Sequence, residues 1–243
     1  MSRGTGASTA GERPTLDAVS TPTTPELSAV TQDYLKVVWS AREWSEQPVT
    51  TKMLATRLGV GASTVSETVR RLADSGLVTH QPYGAVELTA AGERHALAVV
   101  RRHRLIETFL VEMLGYGWDE VHDEAEVLEH AVSDLFVERL SARLGHPTRD
   151  PHGDPIPGSD GSLDIPAASV LWDVAPGEWA VARISDADPG LLRYLESVDL
   201  LLDAPVTVVE RRTVAGVISV RVAGATVDLG EVAARAIWLV PVA

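Results

Sequence analysis

Two short runs carry most of the ligand chemistry this chain offers. VHDEAEVLEH (121–130) holds His122, Asp123, Glu124, Glu126, Glu129 and His130, and RRHRLIET (101–108) adds His103 and Glu107. Helical side chains rotate by about 100° per residue, so His122, Glu126, Glu129 and His130 fall at about 0°, 40°, −20° and 80°. These four share a face, whereas Asp123 and Glu124 point elsewhere and read as solvated. His103 and Glu107, four apart, share a face of their own helix. Two antiparallel helices would pool His103, Glu107 and His122 into one cluster. Glu126, Glu129 and His130 would form a second, short of one donor. Imidazole and carboxylate suit borderline and hard divalent ions. The bland reading is a charged outer face with incidental histidines, and two clusters in tandem weigh against it. A metalloenzyme is disfavoured: His122 is followed by Asp123, so neither HExxH nor HxxEH is met, and no open position with a base can be read.

Those donors need helices to hold them. The stretch 27–44 places Leu27, Val30, Tyr34, Leu35, Val38 and Trp39 on one stripe. VTTKMLATRLG is a short helix capped by Thr50 or Thr51 and ended at Gly59. A turn, Gly59–Ala62, leads to a helix capped by Ser63 and ending at 74–76. LVTHQPYGAVELT reads as strand, tight turn at 82–84, and strand. A helix then runs from Ala90 to Leu114, and a second long one from near Trp118 to Leu144 carries the acidic run.

The rest of the chain is of other kinds. Residues 1–26 hold six Thr, three Ser, three Gly and three Pro, and read as a disordered tail. GHPTRDPHGDPIPGSDGS, starting at Gly145, reads as a flexible linker, taken as 146–165. Beyond it, short β-branched runs around one short helix (PGLLRYLESVDL) indicate a small β-barrel domain over 166–243. The fold class is thus α+β and multidomain: a unit of helices and a β-hairpin over 27–96, a helical unit over 97–145, and the C-terminal barrel.

The chain has no cysteine, which excludes disulfides and thiolate sites and suits the cytoplasm. It shows no apolar run of membrane-spanning length, and no membrane or small organic substrate is expected. The net charge of −13 argues against nucleic acid, but its distribution does not. Residues 49–104 carry eight basic against four acidic side chains; residues 105–143 carry ten acids and two arginines. Helix, tight turn, helix and β-wing is the winged helix-turn-helix order. In its second helix Ser63, Thr64, Ser66, Glu67, Arg70 and Arg71 form the polar face, opposite Val65, Val69 and Leu72. Arg71 and Lys52 are candidate phosphate contacts, and Glu67 could accept from cytosine N4. For each residue singly, a solvated helix face is the equal alternative.

RRHRLIETFL, VHDEAEVLEHAVSD and HPTRDPHGDPIPG, with TQDYL near the start and STVSETVRRL in the second helix, closely resemble the diphtheria toxin repressor family of metal-dependent repressors. The resemblance covers about residues 27–243 and is weaker at the C-terminal end. It implies a winged-helix domain, a helical metal-binding and dimerisation region, and an SH3-like (FeoA-like) domain. It further implies a homodimer on an operator in double-stranded DNA and two metal sites per subunit. The ancillary site then falls on His103, Glu107 and His122, and the regulatory site on Asp33, Glu126, Glu129 and His130. Iron-sensing members carry Met at the position of Asp33 and Cys at that of Glu126, whereas manganese-sensing members carry carboxylates. Hard oxygen donors agree with Mn(II), so a manganese-responsive repressor is expected. Fe(II) is the alternative, and a winged-helix regulator answering an organic ligand is a further one.

The chain departs from the family pattern in three places. Small manganese regulators carry an acid where this chain has Lys36, so no binuclear site of their kind is expected. Asp186 stands where iron-sensing members lend a Glu from the C-terminal domain and Pro189 where they lend a Gln, so Asp186 or Asp188 would complete the ancillary site. Glu67 replaces a frequent Gln, which implies a different operator. Without metal, carboxylates facing one another across the junction would repel. The ion would relieve this and fix the spacing of the recognition helices.

Overall fold

The structure, a computed structural model, describes Met1 and residues 27–43, 45–81 and 84–242. The expected tail, Met1 apart, and the wing tip at 82–83 lie outside the described residues.

The N-terminal unit comprises α1 (Ala29–Glu43), α2 (Thr51–Leu58), α3 (Ala62–Asp74), β1 (Val78–His80) and β2 (Val86–Leu88). Its core gathers Leu35 and Val38 of α1, Leu54 of α2, and Val65, Val69 and Leu72 of α3. Val30, expected on the α1 stripe, is exposed in the first turn of α1. The Thr50 hydroxyl accepts from Met53 N and caps α2, and Gly59 ends that helix at φ 65°. Only a glycine-like left-handed residue allows so abrupt a turn into α3. The expected cap at Ser63 is displaced: α3 starts at Ala62, with Gly61 as an N-cap that has no side chain to bond. β1 and β2 pair antiparallel, Val78 opposite Leu88, as the wing.

The helical unit is α4 (Ala90–Leu114), α5 (Val121–Leu128) and α6 (Asp134–Arg143). The single helix expected from 118 to 144 is two. Ser133 accepts from Phe136 N and starts α6 anew, so Glu129 and His130 sit at the end of α5 and in the turn beyond it. Turn geometry, not helical rotation, therefore places His130.

The C-terminal unit holds β3 (Ser169–Val170), β4 (Gly177–Ile184), α7 (Pro189–Ser197), β5 (Pro205–Arg212), β6 (Val217–Val222), β7 (Ala225–Gly230), α8 (Glu231–Ala234) and β8 (Ile237–Pro241). The strands form one antiparallel sheet in the order β3-β8-β4-β5-β6-β7. Among the described residues no pairing joins β3 to β7, so the sheet does not close into the expected small barrel; it lies over its own core of Leu171, Ile184, Leu195, Ile218 and Leu239.

The expected flexible linker is also corrected. Residues 150 and 152–157 are buried, and Asp150 N donates to Asp154 O while Ile156 N donates to Thr148 O. Gly153, at φ 90°, passes so close to β4 that a Cβ would lie 2.2 Å from Ala182 O. This segment packs between α4 and β4 and carries a buried charge network. Arg104 reaches Glu43 at 2.7 Å and Asp154 at 3.5 Å, while Arg183 pairs with Asp154 and, at 3.3 Å, with Glu43. A bulge in β4 between Val181 and Arg183 shifts the register where Arg183 joins that network. The C-terminal sheet is thereby docked on α1 and α4.

Candidate metal centre

α1, α4 and α5 converge with their chemistry-bearing side chains inward. On α4, His103 Nε2 lies 2.9 Å from Glu107 Oε1 and 3.2 Å from His122 Nδ1 of α5. His122 Nδ1 is in turn 3.4 Å from Glu107 Oε1 and 3.0 Å from Asp186 Oδ2, on the loop after β4. One ligand atom each from His103, Glu107 and His122 lies within 4.8 Å of the others, close enough to share an ion. Asp186, not Asp188, faces this cluster. The Asp188 carboxylate instead caps α7, accepting from Gly190 N at 2.8 Å and Leu191 N at 3.3 Å.

The second cluster spans two units. Asp33 Oδ1 on α1 is 2.8 Å from His130 Nε2, and His130 Nε2 is 3.3 Å from Glu129 Oε1. Asp33, Glu129 and His130 form one ligand group; Glu126 groups instead with His103 and Glu129 and stands between the two clusters. His130 Nδ1 also meets Gln32 Oε1 at 3.2 Å.

Sequence reasoning missed the cation among these acids. Lys36 Nζ lies 2.7 Å from Glu126 Oε1 and 2.5 Å from Glu129 Oε1, with only 10% of its side chain exposed. The expected repulsion across the junction is thus relieved from within: an ammonium from α1 pairs both glutamates, and Asp33 is hydrogen-bonded to His130. Lys36 was recognised only as a missing acid; nothing in its neighbours' spacing marks it as buried. Gln32 and the Glu43–Arg104–Asp154–Arg183 network were likewise invisible, because their partners are distant in sequence.

Electrostatics follow from these pairings. Burial disfavours the charged His103 ring, yet Glu107 and Glu129 outweigh it and raise its pKa to about 9. Burial would raise Glu107 and Glu129, but His103 holds Glu107 well below the usual carboxylate range, and His103 and Lys36 hold Glu129 low. Burial raises Asp33 despite His130. Burial opposes charge on His122 too, but Asp186 and Glu107 raise it.

Glu129 ties the clusters together. Its Oε2 is 2.6 Å from His103 Nδ1 while its Oε1 serves the second cluster. A ring held by a carboxylate on one nitrogen and offering the other outward is the supporting arrangement of a metal-bound histidine. The donor set is imidazole and carboxylate throughout, which fits Mn(II) or Fe(II) better than a thiophilic ion. A cleft of about 660 Å³, walled by Lys36, Arg57, His122, Asp186 and Trp238 among others, gives access.

In the N-terminal unit Lys52, Ser63, Thr64, Ser66, Glu67, Arg70 and Arg71 are all exposed, those on α3 opposite its buried Val65, Val69 and Leu72. Ser66 Oγ donates to Ala62 O, and Arg71 to Thr68 Oγ1.

Comparison with known proteins bears on this architecture. Residues 26–86 match the model of the iron dependent repressor N-terminal DNA binding domain, and residues 89–158 that of the iron dependent repressor metal binding and dimerisation domain. Residues 172–241 match the FeoA domain. The diphtheria toxin repressor of Corynebacterium glutamicum is 36% identical over 188 residues, 75% of this chain and 82% of that protein. The chain belongs to the iron-dependent repressor family. Another member, the iron-dependent repressor IdeR of Mycobacterium tuberculosis, is 40% identical over 133 residues, 55% of this chain, and that match spans only 57% of IdeR's length. A solved structure described as a manganese-dependent transcriptional repressor in complex with manganese superposes with a TM-score of 0.84 at 61% identity, covering 87% of this chain and all of that one. The manganese regulator SloR superposes at 0.74 with 34% identity, over 86% of this chain and 97% of that one. Family members are DNA-binding repressors, not enzymes. No helix among the described residues is long and apolar enough to cross a membrane.

Proposed function

We propose that this chain is a manganese-activated repressor that binds operator DNA as a homodimer in the cytoplasm and controls metal-homeostasis genes. The single observation that carries the reading is the 2.8 Å approach of Asp33, on the first helix of the DNA-binding unit, to His130, in the turn after α5. Asp33, Glu126, Glu129 and His130 would hold the regulatory ion, and His103, Glu107, His122 and Asp186 the ancillary one. When bound, a divalent cation supplies a compact double positive charge between these carboxylates. With an ion held there, Glu126 and Glu129 would no longer pair Lys36, and Asp33 would tie α1 to the acidic turn. Because α1 shares a core with α2 and α3, fixing α1 fixes the angle of the recognition helix to the dimerisation helices. Selecting one conformation raises DNA affinity by the fraction of molecules it recruits.

Supporting the dimer, Leu114, Val127, Leu135 and Phe136 are large apolar side chains left exposed on α4, α5 and α6. Two recognition helices would enter successive major grooves, about 34–36 Å apart. Carboxylates at positions 33 and 126 favour Mn(II); the similarity to IdeR keeps Fe(II) as the second reading.

Gel-shift titration in chelator, Mn(II), anaerobic Fe(II) and Zn(II) tests the function. Mn(II) is expected to give the tightest complex, and the double variant Asp33→Met, Glu126→Cys to shift the response toward iron. Equal affinity in chelator and Mn(II) overturns it.

A further inference from the structure

A cavity of about 510 Å³ opens where the C-terminal end of α1, the wing strand β2 and α4 meet the chain that leads to the C-terminal sheet. It shares no described wall residue with the metal cleft. Its size is that of small-molecule sites, about 300–1,000 Å³. Trp39 of α1, Leu88 of β2, Leu97 of α4, and Leu163 and Ile165 form its apolar walls. Leu163 packs on the same core as Trp39 and Leu97. An apolar group entering here leaves water for contact with three separate parts of the chain.

Three charged side chains share these walls: Arg42 and Glu43 of α1, and Glu93 of α4. Arg42 and Glu93 are exposed, and neither side chain makes an ion pair or hydrogen bond with any described residue. Glu43 is different. Its side chain is 1% exposed, and its Oε2 lies 2.7 Å from Arg104. Its Oε1 is buried with no hydrogen-bond partner among the described residues. A buried carboxylate oxygen without a donor is costly and calls for one. Arg104 also stands over the Trp39 ring at 5.4 Å, so one guanidinium steadies both Glu43 and Trp39. An apolar cavity with a free cation and two carboxylates in its walls is complementary to a ligand that is apolar in body and zwitterionic at one end.

We infer that this cavity binds a free α-amino acid with a large apolar side chain. Arg42 takes the α-carboxylate, which a planar guanidinium can grip with two N–H groups. The α-ammonium goes to Glu43 and Glu93 and supplies the donor that Glu43 Oε1 lacks. The side chain lies among Trp39, Leu88, Leu97 and Leu163. Its ligand is held by the N-terminal unit, by α4 and by the chain before β3 together.

Isothermal titration of the full chain tests this, in chelator so that amino acid–metal complexes cannot mimic binding. L-leucine and L-phenylalanine are expected to bind saturably at one site per chain, and glycine not to bind. Phenylalanine amide lacks the carboxylate, and N-acetylphenylalanine lacks the ammonium. Each is expected to bind at least about tenfold more weakly than phenylalanine. Arg42→Gln changes an exposed side chain that has no partner to lose, and is expected to bind phenylalanine and its amide equally. A chain that binds neither leucine nor phenylalanine overturns the proposal. So does one that binds the amide as tightly as the amino acid, which would make the cavity a site for organic cations. An Arg42→Gln variant that still prefers the amino acid to its amide overturns it as well. None of these outcomes bears on the response to Mn(II), which rests on other residues.

Discussion

Lys36 Nζ lies 2.5 Å from Glu129 Oε1, inside the ligand cluster that joins the DNA-binding unit to the acidic helix. An α1 ammonium thus pairs the same carboxylates that a regulatory ion would take, and any ion must compete with it. Burial works against its charge, but Glu129 and Glu126 raise its pKa, so it remains a cation at physiological pH.

Lys36→Met separates the two roles of that ammonium. Removing one partner of a buried ion pair costs roughly 3–5 kcal/mol, so the metal-free protein is expected to melt at clearly lower temperature. Mn(II) affinity is expected to rise at least tenfold, because Glu126 and Glu129 no longer surrender a cation. Calorimetric melting in chelator and isothermal titration with Mn(II) read the two effects. A variant with unchanged metal affinity contradicts competition by Lys36.

His103 makes stability and metal affinity move in opposite directions with pH. Its pKa is raised from 6.5 to about 9 in the folded, metal-free chain. The folded state therefore holds this proton more tightly than the unfolded one. The resulting stabilisation is fully present below pH 6.5 and is lost as pH rises through about 9. Ligation at His103 Nε2 displaces the proton, so Mn(II) affinity is expected to climb over the same window by up to about tenfold per pH unit. Melting curves and Mn(II) titrations from pH 6 to 9, compared with His103→Gln, isolate this group. A variant with the same pH slopes as the wild type rules the linkage out.

On the DNA side, Lys52 and Glu67 are expected to fail differently. With Lys52 as a phosphate contact, Lys52→Ala is expected to weaken all sequences alike and to lower the log–log salt slope by about 0.9. Glu67→Gln is expected to change the preferred base at one position, by about 1–3 kcal/mol, with the slope nearly unchanged. Fluorescence anisotropy over a salt series, on a duplex selected in vitro by the Mn(II)-loaded chain, measures both. A Lys52→Ala slope equal to that of the wild type removes that residue from the interface.

Much of this was legible in the sequence, for local reasons. Helical periodicity located α1 to α4, and the spacing of His103, Glu107 and His122 anticipated a cluster that the fold assembles. What stayed hidden depends on long-range packing. Residues 150–157 have the Pro, Gly and Asp texture of a linker, yet all but Pro151 are buried, with Arg104 and Arg183 paired to Asp150 and Asp154. The break between α5 and α6 turned on one Ser133 cap inside an otherwise helical pattern. Lys36 carried no signal, since its partners come from another element.

Anomalous scattering from a crystal grown with Mn(II) tests the central claim most directly. The expected result is a manganese peak coordinated jointly by Asp33 of α1 and by Glu126, Glu129 and His130, with Lys36 displaced from the two glutamates. A peak that leaves Asp33 uncoordinated, or a Lys36–Glu129 pair intact beside an empty cluster, would contradict the account.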